Sequence, residues 1–277
     1  MMDWLSLFTE MATAIRKEVR PLFGTAKAQE TRGRGAGGDV AHSVDTAAED
    51  VVIGRLESEH IPCILVSEEA GTRRINGGGT DHVVLDPIDG TTNAVRYIPF
   101  SSTSMAHATG PLLRDVDVGL VMDLYSGMLF TAKKDAGACL DGSRVSTSRV
   151  VDLGEAMISL ELTYPKRVRV LTQTLLPLME RTLKLRHLGS TALEIAYVAS
   201  GALDAFVDLR GLTRSVDLAA ASLIAREAGG VVVTPNGEEL DMELKATART
   251  SLIASGNSLL IAKILELLKN GTDTTLI

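Results

Sequence analysis

The chain has 277 residues, 45% hydrophobic and 23% charged, which suits one large domain or two smaller ones and excludes a wholly disordered chain. With 28 Lys and Arg against 35 Asp and Glu, the net charge is −7, which argues against a nucleic-acid-binding surface. The longest stretch free of these charges, Tyr97 to Leu113, is too polar for a bilayer helix, and no secretory leader is evident, so a cytoplasmic protein without a membrane span is expected.

Trp4, Phe8, Met11, Ile15, Val19 and Leu22 follow helical spacing and predict an amphipathic first helix that ends at Pro21 to Gly24. Thr31 to Asp39 holds four glycines and two arginines and reads as a mobile loop. A second helix is expected near Asp45, with Thr46 and Glu49 at capping-box spacing. Ile61 to Ser67 reads as a buried strand that delivers Glu68 and Glu69. His82 to Leu85 reads as a strand ending in a turn at Asp86 and Pro87. Ser101 to Thr109, Val116 to Met122 and Met128 to Ala132 follow as strands, and Asp141-Gly142 signals a hairpin. Cys63 and Cys139 make no disulfide framework and fit a reducing compartment.

Beyond residue 148 the pattern alternates. Strands are expected at Met157 to Leu162, Leu185 to Leu188, Ala205 to Val207, Val231 to Thr234 and Leu252 to Ala254. Helices are expected at Val170 to Leu183, Thr191 to Ser200, Asp217 to Ala228 and Leu259 to Leu268. The change from strand-rich to alternating suggests an α+β half over residues 1–148 and an α/β half over 149–277.

The segment Asp86-Pro-Ile-Asp89-Gly-Thr-Thr-Asn93 carries the most chemistry. A strand that delivers Asp86, with Asp89 three residues on, can turn two carboxylates and an intervening carbonyl toward one point, a hard-oxygen set suited to Mg²⁺. Gly90 to Asn93 can open a helix whose free amides face a phosphate. A plain surface turn would also explain these residues, and Asp45 or Asp217 alone would serve as helix caps. Together with Glu68 and Glu69, the acids at element ends suit a multi-metal centre for phosphoryl transfer.

Val44-Asp45, Ser67-Glu68-Glu69, Asp86 to Asn93, and Val216-Asp217-Leu218-Ala219 followed by Glu227 to Gly230 resemble the inositol monophosphatase superfamily in order and spacing. The resemblance implies a layered αβαβα sandwich, commonly dimeric, that hydrolyses phosphate monoesters with two or three Mg²⁺ per site. It places Glu68, Asp86 and the Ile88 carbonyl on a first metal, and Asp86, Asp89 and Asp217 on a second. Asp45 and Thr91 would orient the attacking water, with Glu68 completing the catalytic set, and Asp89 and the amides of Gly90 and Thr91 would lie against the phosphate. Asp208-Leu-Arg210-Gly-Leu-Thr-Arg214 resembles archaeal members that handle both inositol phosphates and fructose 1,6-bisphosphate. Arg186, Thr191 and Arg210 are therefore expected at a phosphorylated sugar or cyclitol. The Gly33 to His42 segment departs from the family's usual loop, which leaves its part in placing a third metal open.

Other readings are weaker. Gly33, Gly35 and Gly38 match a dinucleotide fingerprint, but a polar segment replaces the hydrophobic strand such a site needs. Asp89-Gly90-Thr91 is similar to haloacid-dehalogenase phosphatases, yet Pro87 stands where their nucleophilic aspartate would fall. A 3'(2'),5'-bisphosphate nucleotidase, or a phosphosugar-binding protein without catalysis, remains as the alternative on the same fold.

Overall fold

The computed structural model describes residues 2–38, 40–163 and 167–272. Helix α1 (Trp4–Val19) is followed by a short α2 (Ala26–Gln29), a hairpin of β1 (Thr31–Arg34) and β2 (Val40–His42), and α3 (Ser43–Ser58). The stretch expected to be a mobile loop thus pairs antiparallel on both sides of its glycine turn. Helix α3 starts before Asp45, and the expected Thr46–Glu49 box does not form. The His42 amide instead donates to Asp45 Oδ2 at 2.9 Å. Glu49 turns inward, accepting from Ser67 Oγ and, at 3.0 Å, from the Ala70 amide, so it braces the turn that carries Glu68 and Glu69.

Next come β3 (Cys63–Ser67), β4 (Gly71–Ile75), β5 (His82–Asp89), the one-turn helix α4 (Thr91–Val95), β6 (Ser102–Ala108), β7 (Val116–Asp123), β8 (Leu129–Lys133), β9 (Gly137–Leu140) and β10 (Ser143–Arg144). They form an eight-stranded sheet in the order β10-β9-β8-β7-β6-β5-β3-β4. Strand β5 does not stop at Leu85 as the sequence suggested. It continues to Asp89 through a register shift against β6 between Asp86 and Asp89. Pro87 lies within that irregularity, where a strand can tolerate a residue without an amide donor.

The rest of the chain gives β11 (Met157–Leu160), α5 (Val168–Met179), β12 (Lys184–Arg186), α6 (Thr191–Ala199), β13 (Ala205–Arg214), α7 (Ser215–Glu227), β14 (Val231–Val233), β15 (Arg249–Ser255) and α8 (Ser258–Thr272). A five-stranded sheet runs β12-β11-β13-β15-β14.

Apolar packing fixes the layers. One core joins α1 and α3 to the outer face of the large sheet, through Phe8, Ile15, Leu56, Leu65 and Leu120. A second fills the space between the sheets around α6 and α7, and a third packs α5 and α8 on the far side of the small sheet. The result is the expected α/β sandwich in αβαβα order. Residues 215–225 of α7 are all buried, because that helix has a sheet on each side. Its close approach requires small side chains: a Cβ on Gly119 of β7 would stand 2.9 Å from the Ala220 carbonyl oxygen. Burial of this kind stabilises by roughly 25 cal/mol per Å² of apolar surface removed from water.

Candidate active site

Element ends converge where the large sheet meets the central helices. Asp86 and Asp89 come from the irregular end of β5, Glu68 follows β3, and Asp45 and Asp217 sit in the first turns of α3 and α7. All five side chains are buried. Asp86 is fully so, and among the described residues neither of its oxygens has a hydrogen-bond partner. Burial first, then the charges of Asp89 and Asp217, push its carboxyl well above the usual range.

Asp89 is better supported. Its Oδ2 accepts from Ser190 Oγ at 2.8 Å and from the Ala192 amide at 2.6 Å, at the start of α6. Burial and the neighbouring Asp217 still push it up to about 8. Asp45 is pushed up to about 6 by burial, against the opposing hydrogen bonds from the His42 amide and Thr91.

The Thr91 hydroxyl lies 3.0 Å from Asp45 Oδ1 and 2.9 Å from the Ile88 carbonyl oxygen. A hydroxyl has one proton and two lone pairs, so donation to Asp45 leaves Thr91 able to accept from a water. Gly90 enters α4 with φ 87°, a left-handed conformation. A Cβ there would stand 2.9 Å from the Gly189 carbonyl oxygen, so glycine is required by both conformation and space.

The donor chemistry fits a hard divalent cation. Every side-chain donor is a carboxylate oxygen, and fully buried Asp86 accepts no hydrogen bond among the described residues, with Arg214 Nη2 3.6 Å from its Oδ2. Among the described residues no three His, Cys, Asp or Glu side chains form a group that could hold a metal ion as they are placed. Glu68, Asp86 and Asp217 are instead spaced around the guanidinium of Arg214.

Comparison with known proteins shows the family. Residues 3–272 match the inositol monophosphatase family. The chain belongs to that family. It is accordingly a phosphoric monoester hydrolase of a metal-dependent family. A fructose-1,6-bisphosphatase/inositol-1-monophosphatase of Methanothermobacter thermautotrophicus is 41% identical over 275 residues, covering 96% of each chain. A bifunctional NADP phosphatase/NAD kinase of Methanococcus maripaludis is 34% identical across 97% of this chain but only 50% of its own length. The crystal structure of an inositol monophosphatase-fructose 1,6 bisphosphatase superposes with TM-score 0.85 at 29% identity, over 96% of this chain and 100% of that one.

In the inositol monophosphatase fold the residues expected at the substrate take different settings. Thr191 opens α6 and is buried beside the Asp89 contacts. Arg186 is exposed on the edge strand β12, where its Nη1 donates to the Leu185 carbonyl. Arg210 is held by Asp208 through Nε at 2.9 Å and Nη2 at 2.7 Å, and its Nη1 lies 3.3 Å from Glu161. Glu227, part of the family pattern, accepts from the Asp135 and Gly137 amides and so supports the β8–β9 turn.

Sequence reasoning missed Ser190 and the Ala192 amide as partners of Asp89. A Gly-Ser-Thr-Ala run opening a helix could have indicated them, since helix N-termini attract carboxylates. It also missed Asn93, whose Nδ2 donates to the Phe100 and Leu188 carbonyls at 2.8 and 2.7 Å and so ties α4 to the loop before α6.

Proposed function

We propose that this protein hydrolyses the phosphate monoester of inositol 1-phosphate, fructose 1,6-bisphosphate or both, with Mg²⁺ at two or three positions in the acid cluster. The observation that carries this reading is Asp86, fully buried among acids and without a hydrogen-bond donor on either oxygen. Glu68, Asp86 and the Ile88 carbonyl would hold one ion, and Asp86, Asp89 and Asp217 a second. Bound there, Mg²⁺ would neutralise the phosphate's charge and lower the pKa of water.

The protein's own residues do the positioning. Asp45 accepts the Thr91 proton, so the Thr91 oxygen can accept a hydrogen from the attacking water and fix its approach. The amides of Gly90 and Thr91 lie ahead of the first complete turn of α4, where they would donate to phosphate oxygens. Ser190 and the Ala192 amide keep Asp89 in place, so it need not reorganise during the reaction. Nothing in this scheme needs a covalent phosphoenzyme. Arg186, Thr191 and Arg210 complete the proposed substrate surface, and a cytoplasmic homodimer is the proposed working form. No helix among the described residues is long and apolar enough to cross a membrane.

The named NADP phosphatase relative supports a second reading, removal of the 2'-phosphate of NADP. Phosphate release from inositol 1-phosphate, fructose 1,6-bisphosphate and NADP, measured after chelation and again after Mg²⁺ is restored, tests both. Hydrolysis should vanish on chelation and return with Mg²⁺. Full activity in metal-stripped protein would refute the metal mechanism, and turnover of NADP alone would favour the second reading.

A further inference from the structure

Arg214 ends β13 and puts its side chain into the acid cluster. Its Nε and Nη2 each lie 2.8 Å from Asp217 Oδ1, Nη1 contacts Glu68 Oε1, and Nη2 stands 3.6 Å from Asp86 Oδ2. The guanidinium is only 12% exposed. The hairpin turn roofs it. The Gly37 amide donates to the Glu68 carbonyl at 2.8 Å, the Ala36 amide to the Glu69 carbonyl at 3.0 Å, and a Cβ on Gly37 would stand 3.5 Å from Arg214 Nη1.

Glu68, Asp86 and Asp217 are three of the carboxylates assigned above to the metal ions. Arginine stays charged at every working pH, and its fork of N–H groups uses the same oxygen lone pairs as a divalent cation. Two cations a few ångströms apart in a buried site also repel strongly. The guanidinium therefore competes with a metal for Glu68 Oε1 and Asp217 Oδ1, and for the space beside Asp86, in the arrangement seen here.

We propose that Arg214 is a built-in competitor of the metal: it holds Glu68, Asp86 and Asp217 together in the unloaded protein, and its displacement sets the affinity for divalent cations. The proposal rests on the metal-binding reading of the cluster. It makes Arg214 a positioning residue with opposite effects in the two states. It supports the fold when metal is absent and costs binding energy when metal arrives. The Arg214 backbone amide, which donates to Asp217 Oδ2 at 2.9 Å, keeps its role in any side-chain variant.

The test uses full-length protein stripped of metal, Mn²⁺ as the probe, and Arg214→Gln. Bound Mn²⁺ is counted from the loss of the free-ion electron paramagnetic resonance signal, and melting is followed in chelator and in saturating Mn²⁺. Mn²⁺ should bind the variant roughly 10- to 100-fold more tightly, the factor that losing one or two competing charge-assisted hydrogen bonds would release. In chelator the variant should melt below wild type, and in Mn²⁺ that deficit should close or reverse. A variant that folds only with Mn²⁺ present gives the same support. Equal or weaker Mn²⁺ binding, or the same melting deficit in both conditions, would overturn the proposal. So would failure of both Arg214→Gln and Arg214→Lys to fold in Mn²⁺, since Arg214 would then be structural. Wild-type protein that binds no Mn²⁺ would instead refute the metal-binding reading itself.

Discussion

Replacing Asp86 with Asn should make the metal-free protein more stable and the metal-loaded protein relatively less so. Asp86 is buried without a hydrogen bond to either oxygen, and the charges of Asp89, Asp217 and Asp45 oppose its ionisation more than Arg214, 3.6 Å away, favours it. An Asn of the same shape cannot ionise and can donate to Asp217, which lies close enough to share a proton with Asp86. Leaving a buried polar group unsatisfied costs about 1–3 kcal/mol, which sets the expected gain. For 277 residues the unfolding entropy is about 0.6 kcal/mol/K, so Tm in chelator should rise by about 2–5 °C. Mg²⁺ at 100 times its Kd stabilises wild type by about 2.7 kcal/mol, or close to 5 °C on the same scale. Asp86→Asn should gain little of this, because the proposed shared ligand is gone. Calorimetry on both proteins, with chelator and with Mg²⁺, should show the order of the two Tm values converge or cross. A variant that melts lower than wild type in chelator, or gains as much from Mg²⁺, would refute the reasoning.

Three further outcomes are expected. Thr91→Val keeps the shape at α4 but loses the hydroxyl between Asp45 and Ile88, so kcat should fall by about 10²-fold with the Mg²⁺ midpoint unchanged; a shifted midpoint in steady-state assays would mean Thr91 shapes the metal site instead. In chelator, stability should fall as pH rises: folded Asp45 and Asp89 hold protons up to about 6 and about 8, the unfolded chain releases them near the ordinary aspartate value of 3.8, and the folded state therefore binds more protons across that window. Urea midpoints at pH 5 and pH 8 check the sign, and a higher midpoint at pH 8 would contradict it. Arg210→Ala leaves fully buried Asp208 without its cation, so stability should drop by about 3–5 kcal/mol and Tm by several degrees. Loss of fructose 1,6-bisphosphate affinity alone, with melting unchanged, would show instead that Arg210 serves mainly as a contact for the distal phosphate.

Element types were largely legible because period and punctuation are local. The helical spacing from Trp4 to Val19 and the buried strand ending at Ser67 needed no partner to be recognised. The acids were legible for the same reason: Asp45, Glu68, Asp86, Asp89 and Asp217 stand at element ends, where a side chain can leave the packed layer. Residues 31–42 were misread because glycine-rich composition looks the same in a loop and in a hairpin. What orders the hairpin is its docking on the Glu68 and Glu69 carbonyls, far away in sequence. The end of β5 was cut short because Pro87 looks like a stop, and only pairing with β6 shows that the strand continues past it.

Tertiary structure alone decided which charges meet. Asp208 and Glu161 engage Arg210, a pairing that residue spacing does not reveal, and Arg214 enters the acid cluster. Residue type and spacing fix what a side chain can do. Which oxygen faces which cation is fixed by the packing of two sheets around α6 and α7, since low local dielectric makes each buried charge depend on neighbours that the chain order does not reveal.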